Sequence, residues 1–201
     1  MTTTKNTAKI ILARHCKTTW NIEKRLVGIS DQPLCDFGLQ EAHETAPKLE
    51  RLALDRIISS PLKRAHQTSE IYSKHLKIPL LIEQGLREID HGTWNGIKLE
   101  ELLNDKSSDF KIWYNDPTTI PIPGGTEPIT DAQQRIKKTI KDILLTYPGE
   151  TVLVVMHKHI RSIFNCFLNG LHMNNFKANI DDSVLPIELS KEQLISAYGL
   201  E

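Results

Sequence analysis

The chain has 201 residues, 39% hydrophobic and 25% charged, with 25 lysines and arginines against 25 aspartates and glutamates. This length suits one domain with a buried core. A formal net charge of zero gives no support for a surface that binds nucleic acid, because neutralising many phosphates requires an excess of basic residues. We therefore expect no nucleic-acid partner, and any phosphate chemistry to be local.

Three widely spaced cysteines, Cys16, Cys35 and Cys166, form no C-x-x-C pair. They predict neither a disulfide framework nor a structural zinc site, and they favour a cytoplasmic location. The polar start of the chain is followed by only a short apolar run before Arg14, so we expect neither a signal peptide nor a membrane span there. With no longer apolar run in the sequence, we expect no membrane partner.

Short β-branched runs alternate with segments of helical period along the chain. The predicted strands are almost continuously apolar, which indicates burial on both faces. They span residues 9–13, 55–59, 78–83 and 151–156, and the predicted helices span residues 38–51, 62–76, 129–145 and 160–168. Pro47 should kink or shorten the first helix. The alternation predicts a three-layer α/β/α sandwich with a mostly parallel central sheet.

Residues 92–127 depart from this alternation. They contain Trp94, Trp113, Tyr114 and most of the run DPTTIPIPGGTEP, which is too rich in proline and glycine for regular structure. We interpret this stretch as a helical and loop excursion that covers the substrate, within a single domain of residues 1–201. Long loops of this kind often carry substrate contacts.

Cationic and imidazole side chains follow three predicted strands at their carboxyl ends. Arg14 and His15 follow the first, Arg64 lies shortly after the second, and His157 follows the last. Ligands of an open parallel sheet gather at this edge, and the planar fork of arginine suits phosphate. One histidine at a strand end is usually structural, but the coincidence at three strand ends predicts a phosphoryl pocket.

The sequence RHCKTTWN at residues 14–21 resembles the R-H-G-E-T-x-W-N signature of the histidine phosphatase superfamily, also called phosphoglycerate mutase-like. The likeness continues in order along nearly the whole chain. It includes GISDQPL at residues 28–34 with Gly38, SSPLKRAHQT at 59–68, LREIDHGTWNG at 86–96, PGG at 123–125 and His157 after VVM. Several ordered motifs of this length identify the chain as a member of the superfamily.

The resemblance implies that His15 is a nucleophile whose neutral imidazole attacks phosphorus and forms a phosphohistidine. It implies that Glu88 donates a proton to the departing alkoxide and later takes one from water. Arg14, Arg64 and a protonated His157 would hold the phosphate oxygens, and Asn21 would add a neutral donor. We expect no metal and no other cofactor, because fixed cations supply the charge.

The phosphate loops depart from the family pattern at four positions. Cys16 and Lys17 replace a glycine and an acidic residue, and Lys158 and His159 replace the two glycines of H-G-G. Both loops are therefore bulkier and more basic. The first explanation is a working phosphatase that favours a more anionic substrate, and the second is a binding protein without turnover. The third is a metal site formed by Cys16, His157 and His159 with His15 or His91.

Cys16 has a second interpretation. Nearby positive charge should favour its thiolate, so we expect the residue to be sensitive to oxidation. The alternative is a small side chain tucked into the loop.

The sequence favours hydrolysis over transfer to a second hydroxyl. The chain is short for the glycolytic mutase, and its motifs look closer to the broad-specificity phosphatases of the family. We expect a metal-independent phosphomonoesterase acting on a small phosphorylated metabolite. A phosphoglycerate mutase and a catalytically silent phosphate binder remain alternatives. The physiological substrate stays open, as does the oligomeric state, a homodimer included.

Overall fold

The computed structural model of the protein describes residues 7–107 and 109–200. Its strands are β1 (Lys9–Arg14), β2 (Arg56–Ser59), β3 (Leu80–Ile82), β4 (Thr151–Met156) and β5 (Ile187–Glu188). They form one sheet in the spatial order β3-β2-β4-β1-β5. All neighbouring pairs are parallel except β1 with β5. The predicted α/β class with a mostly parallel sheet is confirmed.

Helices connect the strands and cover the sheet. They are α1 (Thr19–Ile22), α2 (Asp36–Thr45), α3 (Lys63–Leu76), α4 (Leu99–Asn104), α5 (Phe110–Asn115), α6 (Ile129–Thr146), α7 (Lys158–Leu168) and α8 (Lys191–Tyr198). Short 3₁₀ segments span Ala46–Leu52, Gln84–Leu86, Gly92–Trp94, Met173–Asn175 and Lys177–Asn179. Among the described residues, no helix is long and apolar enough to cross a bilayer.

Alternate residues of β1 point into different halves of the core. Ile10 and Leu12 pack in a cluster with α6 and α7, whereas Ile11 and Ala13 pack in a second cluster with α2 and α3. Side chains of a strand alternate between the two faces of a sheet. The two clusters therefore lie on opposite faces, and burial of both explains why the strands read as continuous apolar runs.

The register of the central strands brings three chain segments to one edge. Arg14 pairs with Met156, and the amide of His15 donates to the Met156 carbonyl at 3.1 Å. On the other side of β4, the Ser60 amide donates to the Val155 carbonyl at 3.0 Å. His15, His157 and Ser60 therefore leave the sheet side by side.

Strand β3 corrects one expectation. The prediction of residues 78–83 as a strand buried on both faces is wrong, because β3 covers only residues 80–82 and lies at an edge of the sheet. Leu81 and Ile82 are 40% and 43% exposed. A short apolar run does not by itself distinguish an edge strand from a central one.

The helix boundaries differ most from prediction in α2 and α7. Helix α2 ends at Thr45 and continues as a 3₁₀ segment that contains Pro47, in line with the expected interruption. Helix α7 begins at Lys158, two residues earlier than predicted, so that it starts directly after His157. The short strand β5 and helix α8 were not predicted.

Candidate active site

His15 lies at the end of β1 and is only 3% exposed. Its Nδ1–H donates to the carbonyl of Cys16 at 2.6 Å, which leaves the lone pair on Nε2. Burial, followed by the charges of Arg64 and Arg14, lowers the pKa of His15 well below its ordinary value. The imidazole is therefore neutral and presents Nε2 as a nucleophilic atom.

Arg64 contacts this nucleophilic atom directly. Its Nε–H donates to Nε2 of His15 at 3.1 Å. The other two nitrogens of the guanidinium donate to backbone carbonyls, Ser30 at 2.9 Å and Gly28 at 2.7 Å. Burial lowers the pKa of Arg64 to about 10, so the group still carries its charge at neutral pH. The sequence-predicted pair of His15 and Arg64 is thus brought together.

Arg14 is 4% exposed and lines the same cavity as His15 and Arg64. Its Nη1 donates to the carbonyl and to the side-chain carboxylate of Asp182, at 2.8 and 2.7 Å. Its Nε is buried and makes no hydrogen bond within the described part of the chain. Arg14 therefore contacts both the cavity of His15 and the C-terminal segment that carries Asp182. Sequence analysis did not predict a role for Asp182.

Asn21 also lines this cavity. Its Oδ1 accepts from the amide of Thr18 at 3.0 Å and from the Thr18 hydroxyl at 3.1 Å, in the capping box of α1. Because these bonds occupy the oxygen, the amide NH₂ is the group of Asn21 that can serve a ligand. This orientation suits the predicted neutral donor.

His157 stands beside His15 at the end of β4, with 5.0 Å between the ring centroids. Its Nε2 is 2.6 Å from the hydroxyl of Ser60, a partner that sequence analysis did not assign. The sequence feature that could have indicated this contact is the pair Ser59 and Ser60 at the end of the second predicted strand. Burial and Arg64 lower the pKa of His157 well below its ordinary value, so the ring is neutral in the free protein. A protonated His157 against a bound phosphate stays a prediction.

Glu88 is 4% exposed and lies at the amino-terminal end of α7. Its Oε1 accepts from the amides of Ile89 and Ile160 at 3.0 and 2.8 Å, and its Oε2 accepts from the amide of His159 at 3.0 Å. Two of these donors belong to the first turn of the helix, where amides have no partner inside the helix. Glu88 is therefore held in the same cavity as His15 by backbone groups.

Comparisons with known proteins place the chain in a family. A sequence profile of the histidine phosphatase superfamily (branch 1) matches residues 10–187. The chain belongs to the histidine phosphatase superfamily. This membership confirms the family resemblance seen in the sequence.

Two curated relatives and one solved structure illustrate the range of the family. Phosphoserine phosphatase 1 of Hydrogenobacter thermophilus is 32% identical over 168 residues, which cover 84% of this chain and 79% of that protein. Phosphoglycerate mutase-like protein 4 of Arabidopsis thaliana is 32% identical over 160 residues, covering 78% and 70%. Mycobacterial glucosyl-3-phosphoglycerate phosphatase, solved with VO3, superposes with a TM-score of 0.81 at 23% identity over 91% of each chain. Family membership and the phosphatase names among these proteins support a phosphoric monoester hydrolase.

The excursion of this histidine phosphatase packs beside the site. The amide of Thr93 donates to the Pro123 carbonyl at 2.8 Å. A Cβ built on Gly92 would lie 2.1 Å from that same carbonyl oxygen, so the close approach requires glycine. Trp113 of α5 meets the ring of His91 edge-on at 5.7 Å. The excursion thus packs against His91, whose ring contacts His159, a residue that lines the cavity.

His91 and His159 form a buried pair next to Glu88. Nε2 of His91 lies 2.9 Å from Nδ1 of His159, which in turn lies 3.6 Å from Oε2 of Glu88. Burial, followed by the charge of Lys158, lowers the pKa of His91 to about 3. Burial and then His91 lower the pKa of His159 well below its ordinary value. Both rings are therefore neutral, and one ring nitrogen donates to the other.

The alternative of a metal site at Cys16, His157 and His159 does not assemble. Across the described ranges, histidines, cysteines and acidic residues form no group of three that is placed to hold a metal ion. The sulfur of Cys16 lies 3.5 Å from the hydroxyl of Tyr72, on α3, whereas the ring of His159 faces His91.

The expectation of a thiolate at Cys16 is also wrong. The side chain is fully buried, and its backbone amide donates to the hydroxyl of Thr68 at 3.0 Å. Burial raises the pKa of the Cys16 thiol to about 12, because removing water from the charged form outweighs the hydrogen bonds of Tyr72 and Thr68, which favour it. The alternative of a small side chain tucked into the loop is the one that fits.

We predict that Cys16 resists alkylation in the native protein. Iodoacetamide at pH 7.5 should modify the partly exposed Cys35 first, because Cys16 is both buried and protonated. Peptide mapping by mass spectrometry, with and without denaturant, measures the order of labelling. Labelling of Cys16 at the rate of Cys35 in the native protein would contradict the buried environment.

We predict that His91 makes the free energy of unfolding depend on pH. Its folded pKa of about 3 lies below the ordinary value of 6.5, so unfolding takes up a proton as the pH falls through this window. The stability contributed above pH 6.5 is then lost, at up to about 1.4 kcal/mol per pH unit.

Urea unfolding of wild type and His91→Gln at several pH values between 7 and 4 tests this dependence. The variant should show a shallower slope, and His43→Gln, at an exposed position on α2, serves as the control. Identical slopes for wild type and His91→Gln would show that His91 does not titrate as described.

Proposed function

We propose that this protein is a metal-independent phosphomonoesterase that hydrolyses small phosphate esters through a phosphohistidine at His15. The observation that carries the proposal is the state of the His15 ring. Its Nδ1–H is committed to the Cys16 carbonyl, and its Nε2 points at a buried guanidinium. A neutral nucleophile in contact with a fixed cation is the pairing that phosphoryl transfer requires.

Four side chains are proposed to hold the phosphate. Arg14, Arg64, His157 and Asn21 surround or adjoin the cavity of about 30 Å³ in front of His15. The buried Arg14 Nε and His157 Nδ1, which lack partners among the described residues, would gain oxygen acceptors from a bound phosphate. A dianion at this place would also favour a proton on His157, whose neutral state is set by burial and by Arg64.

In the first step, the lone pair of His15 Nε2 forms a bond to phosphorus while the bond between phosphorus and the ester oxygen breaks. The Nε–H group of Arg64 stops donating to Nε2 and donates a hydrogen bond to a phosphate oxygen instead, so that the guanidinium keeps its proton and its charge. The Cys16 carbonyl stabilises the positive charge that develops on the ring, since Nδ1–H already donates to it. Glu88 gives a proton to the departing oxygen, so that an alcohol leaves.

In the second step, water attacks the phosphohistidine. Glu88 accepts a proton from this water, the bond between phosphorus and Nε2 breaks, and the electron pair returns to the ring. Inorganic phosphate leaves and His15 regains its neutral state. The backbone amides that hold both oxygens of Glu88 keep the carboxyl group at one place for both proton transfers.

We also propose that residues 92–127 cover the substrate within a single catalytic domain. The proposal is supported by the packing of this stretch against His91 and by Leu99 of α4, which lines the neighbouring cavity. The free thiols of Cys16, Cys35 and Cys166 support a reducing compartment such as the cytoplasm.

Replacing His15 by alanine should abolish turnover. We expect kcat for p-nitrophenyl phosphate, measured with a chelator present, to fall by more than about 1,000-fold, because the phosphohistidine at residue 15 can no longer form. His43→Ala is the surface control. Turnover near that of wild type in His15→Ala would refute the assignment of His15 as the nucleophile. Activity that requires a bisphosphoglycerate primer would indicate a mutase, and binding without turnover in wild type would indicate a silent binder.

Replacing Glu88 by glutamine should separate substrates by leaving group. The amide keeps the size of the side chain but supplies no acidic proton. We expect kcat/KM for an alkyl phosphate to fall about 100-fold, and that for p-nitrophenyl phosphate by less than about tenfold, since a nitrophenolate leaves without protonation. Steady-state kinetics of both esters provide the measurement, and equal losses would contradict the acid role.

A further inference from the structure

A second, larger cavity of about 330 Å³ adjoins the one in front of His15. Arg14, Asn21, Arg25, Leu26 and Lys158 line both of them. The basic residues that line the larger cavity are Arg14, Lys17, Lys24, Arg25 and Lys158, and the acidic one is Asp182. This excess of positive charge is concentrated on one side of a chain whose net charge is zero.

Two of these lysines have no counter-ion. Within residues 7–107 and 109–200, no carboxylate lies within ion-pair distance of Lys17 or Lys24. The ammonium of Lys17 lies 5.1 Å from the centroid of the Phe37 ring, and Lys24 is exposed just after α1. By contrast, Arg25 pairs with Glu23. The charges of Lys17 and Lys24 are therefore the ones available to a ligand.

One anion of the protein itself already binds at this place. The carboxylate of Asp182 lies 2.7 Å from Nη1 of Arg14 and 3.4 Å from Nζ of Lys158. Its segment is fastened by Arg161, whose Nη2 contacts the carboxylate of Asp181 at 2.9 Å. The Asp182 side chain nevertheless remains 70% exposed. The wall of the cavity between Arg14 and Lys158 thus has the geometry to accept a carboxylate.

We infer that the substrate carries a second anionic group, a carboxylate or a further phosphate, which binds in the larger cavity to Lys17, Lys24 and Lys158. The inference rests on the proposed phosphatase function. While the reacting phosphate occupies the cavity of His15, the body of the substrate extends along Arg14 and Asn21, which line both spaces. The second anion then reaches the lysines and competes with Asp182 for Lys158.

Two of the three lysines are not part of the phosphate chemistry common to the family signature. Lys17 stands where the signature has an acidic residue, and Lys158 stands where it has glycine. Their positive charges are therefore a feature of this chain and not of the family signature. We attribute to them the selection of substrates that carry a second anionic group. A neutral sugar or alcohol would leave Lys17 and Lys24 without a partner.

Three esters of the same three-carbon chain test the inference. They are 3-hydroxypropyl phosphate, 3-(phosphonooxy)propanoate and propane-1,3-diol bisphosphate, which differ only in the distal group. We expect wild type to hydrolyse at least one of the two doubly anionic esters with a kcat/KM more than tenfold above that of the neutral-ended ester. The preferred distal group identifies the anion. Equal kcat/KM values for all three esters would overturn the inference.

Charge variants then locate the effect. Lys17→Gln combined with Lys24→Gln should lower the ratio of kcat/KM values between anionic and neutral-ended esters at least tenfold. Asp182→Asn should raise the ratio at least threefold, because a competing carboxylate is removed. Lys74→Gln, at an exposed position on α3, should leave the ratio at the wild-type value. A ratio that does not change in the double lysine variant would refute the second-anion site.

These outcomes are separate from failure of the proposed function. Wild type that hydrolyses no ester, p-nitrophenyl phosphate included, would overturn the phosphatase itself. Wild type that hydrolyses all esters without preference would leave the phosphatase standing and overturn only the second-anion site. The opposite signs expected for the lysine and aspartate variants also exclude general damage to the fold, which would not raise the ratio.

Discussion

The hydrogen bond from His15 Nδ1–H to the Cys16 carbonyl is the contact on which the rest of the site depends. It fixes the tautomer, and with it the atom that holds the lone pair. Burial and two guanidinium groups keep the ring neutral, and the same burial keeps the neighbouring thiol protonated. One environment therefore selects the imidazole as nucleophile and silences the cysteine beside it. Water admitted to this pocket would weaken both effects, because each arises from the cost of placing charge away from solvent.

Helix α7 links the sheet to the proton donor. It begins directly after His157, so that the last residue before the helix stands beside His15 while the amides of the first turn reach the carboxylate of Glu88. The strand end thus sets the position of the proposed phosphate ligand, and the helix start sets the position of the proposed acid. A shift of the helix by one residue would move both groups together. His159 and Ile160 therefore contribute to the site through their backbone amides, which hold Glu88.

Much of the site could be predicted because parallel strands deliver their carboxyl ends to one edge. Arg14, His15 and His157 follow from that rule, and Arg64 from the helix that comes after β2. Asp182 could not be predicted, since its contact with Arg14 joins residues 168 positions apart through an irregular segment. The prediction of a thiolate at Cys16 was wrong because the sequence shows which charges are nearby but does not show how deeply the side chain is buried. The same limitation made β3 look like a buried strand.

The contact between Arg14 and Asp182 also resolves a difficulty of any phosphate site. A guanidinium buried to 4% exposure is costly unless an anion compensates it. Asp182 supplies that anion at 2.7 Å from Arg14, from a side chain that is itself 70% exposed. In the proposed exchange, an incoming anion replaces the Asp182 carboxylate at Lys158, while Arg14 keeps its hydrogen bond to the Asp182 backbone carbonyl. Asp181, bound to Arg161, keeps the backbone of the segment in position meanwhile, so the exchange requires movement of one side chain and not of the whole segment.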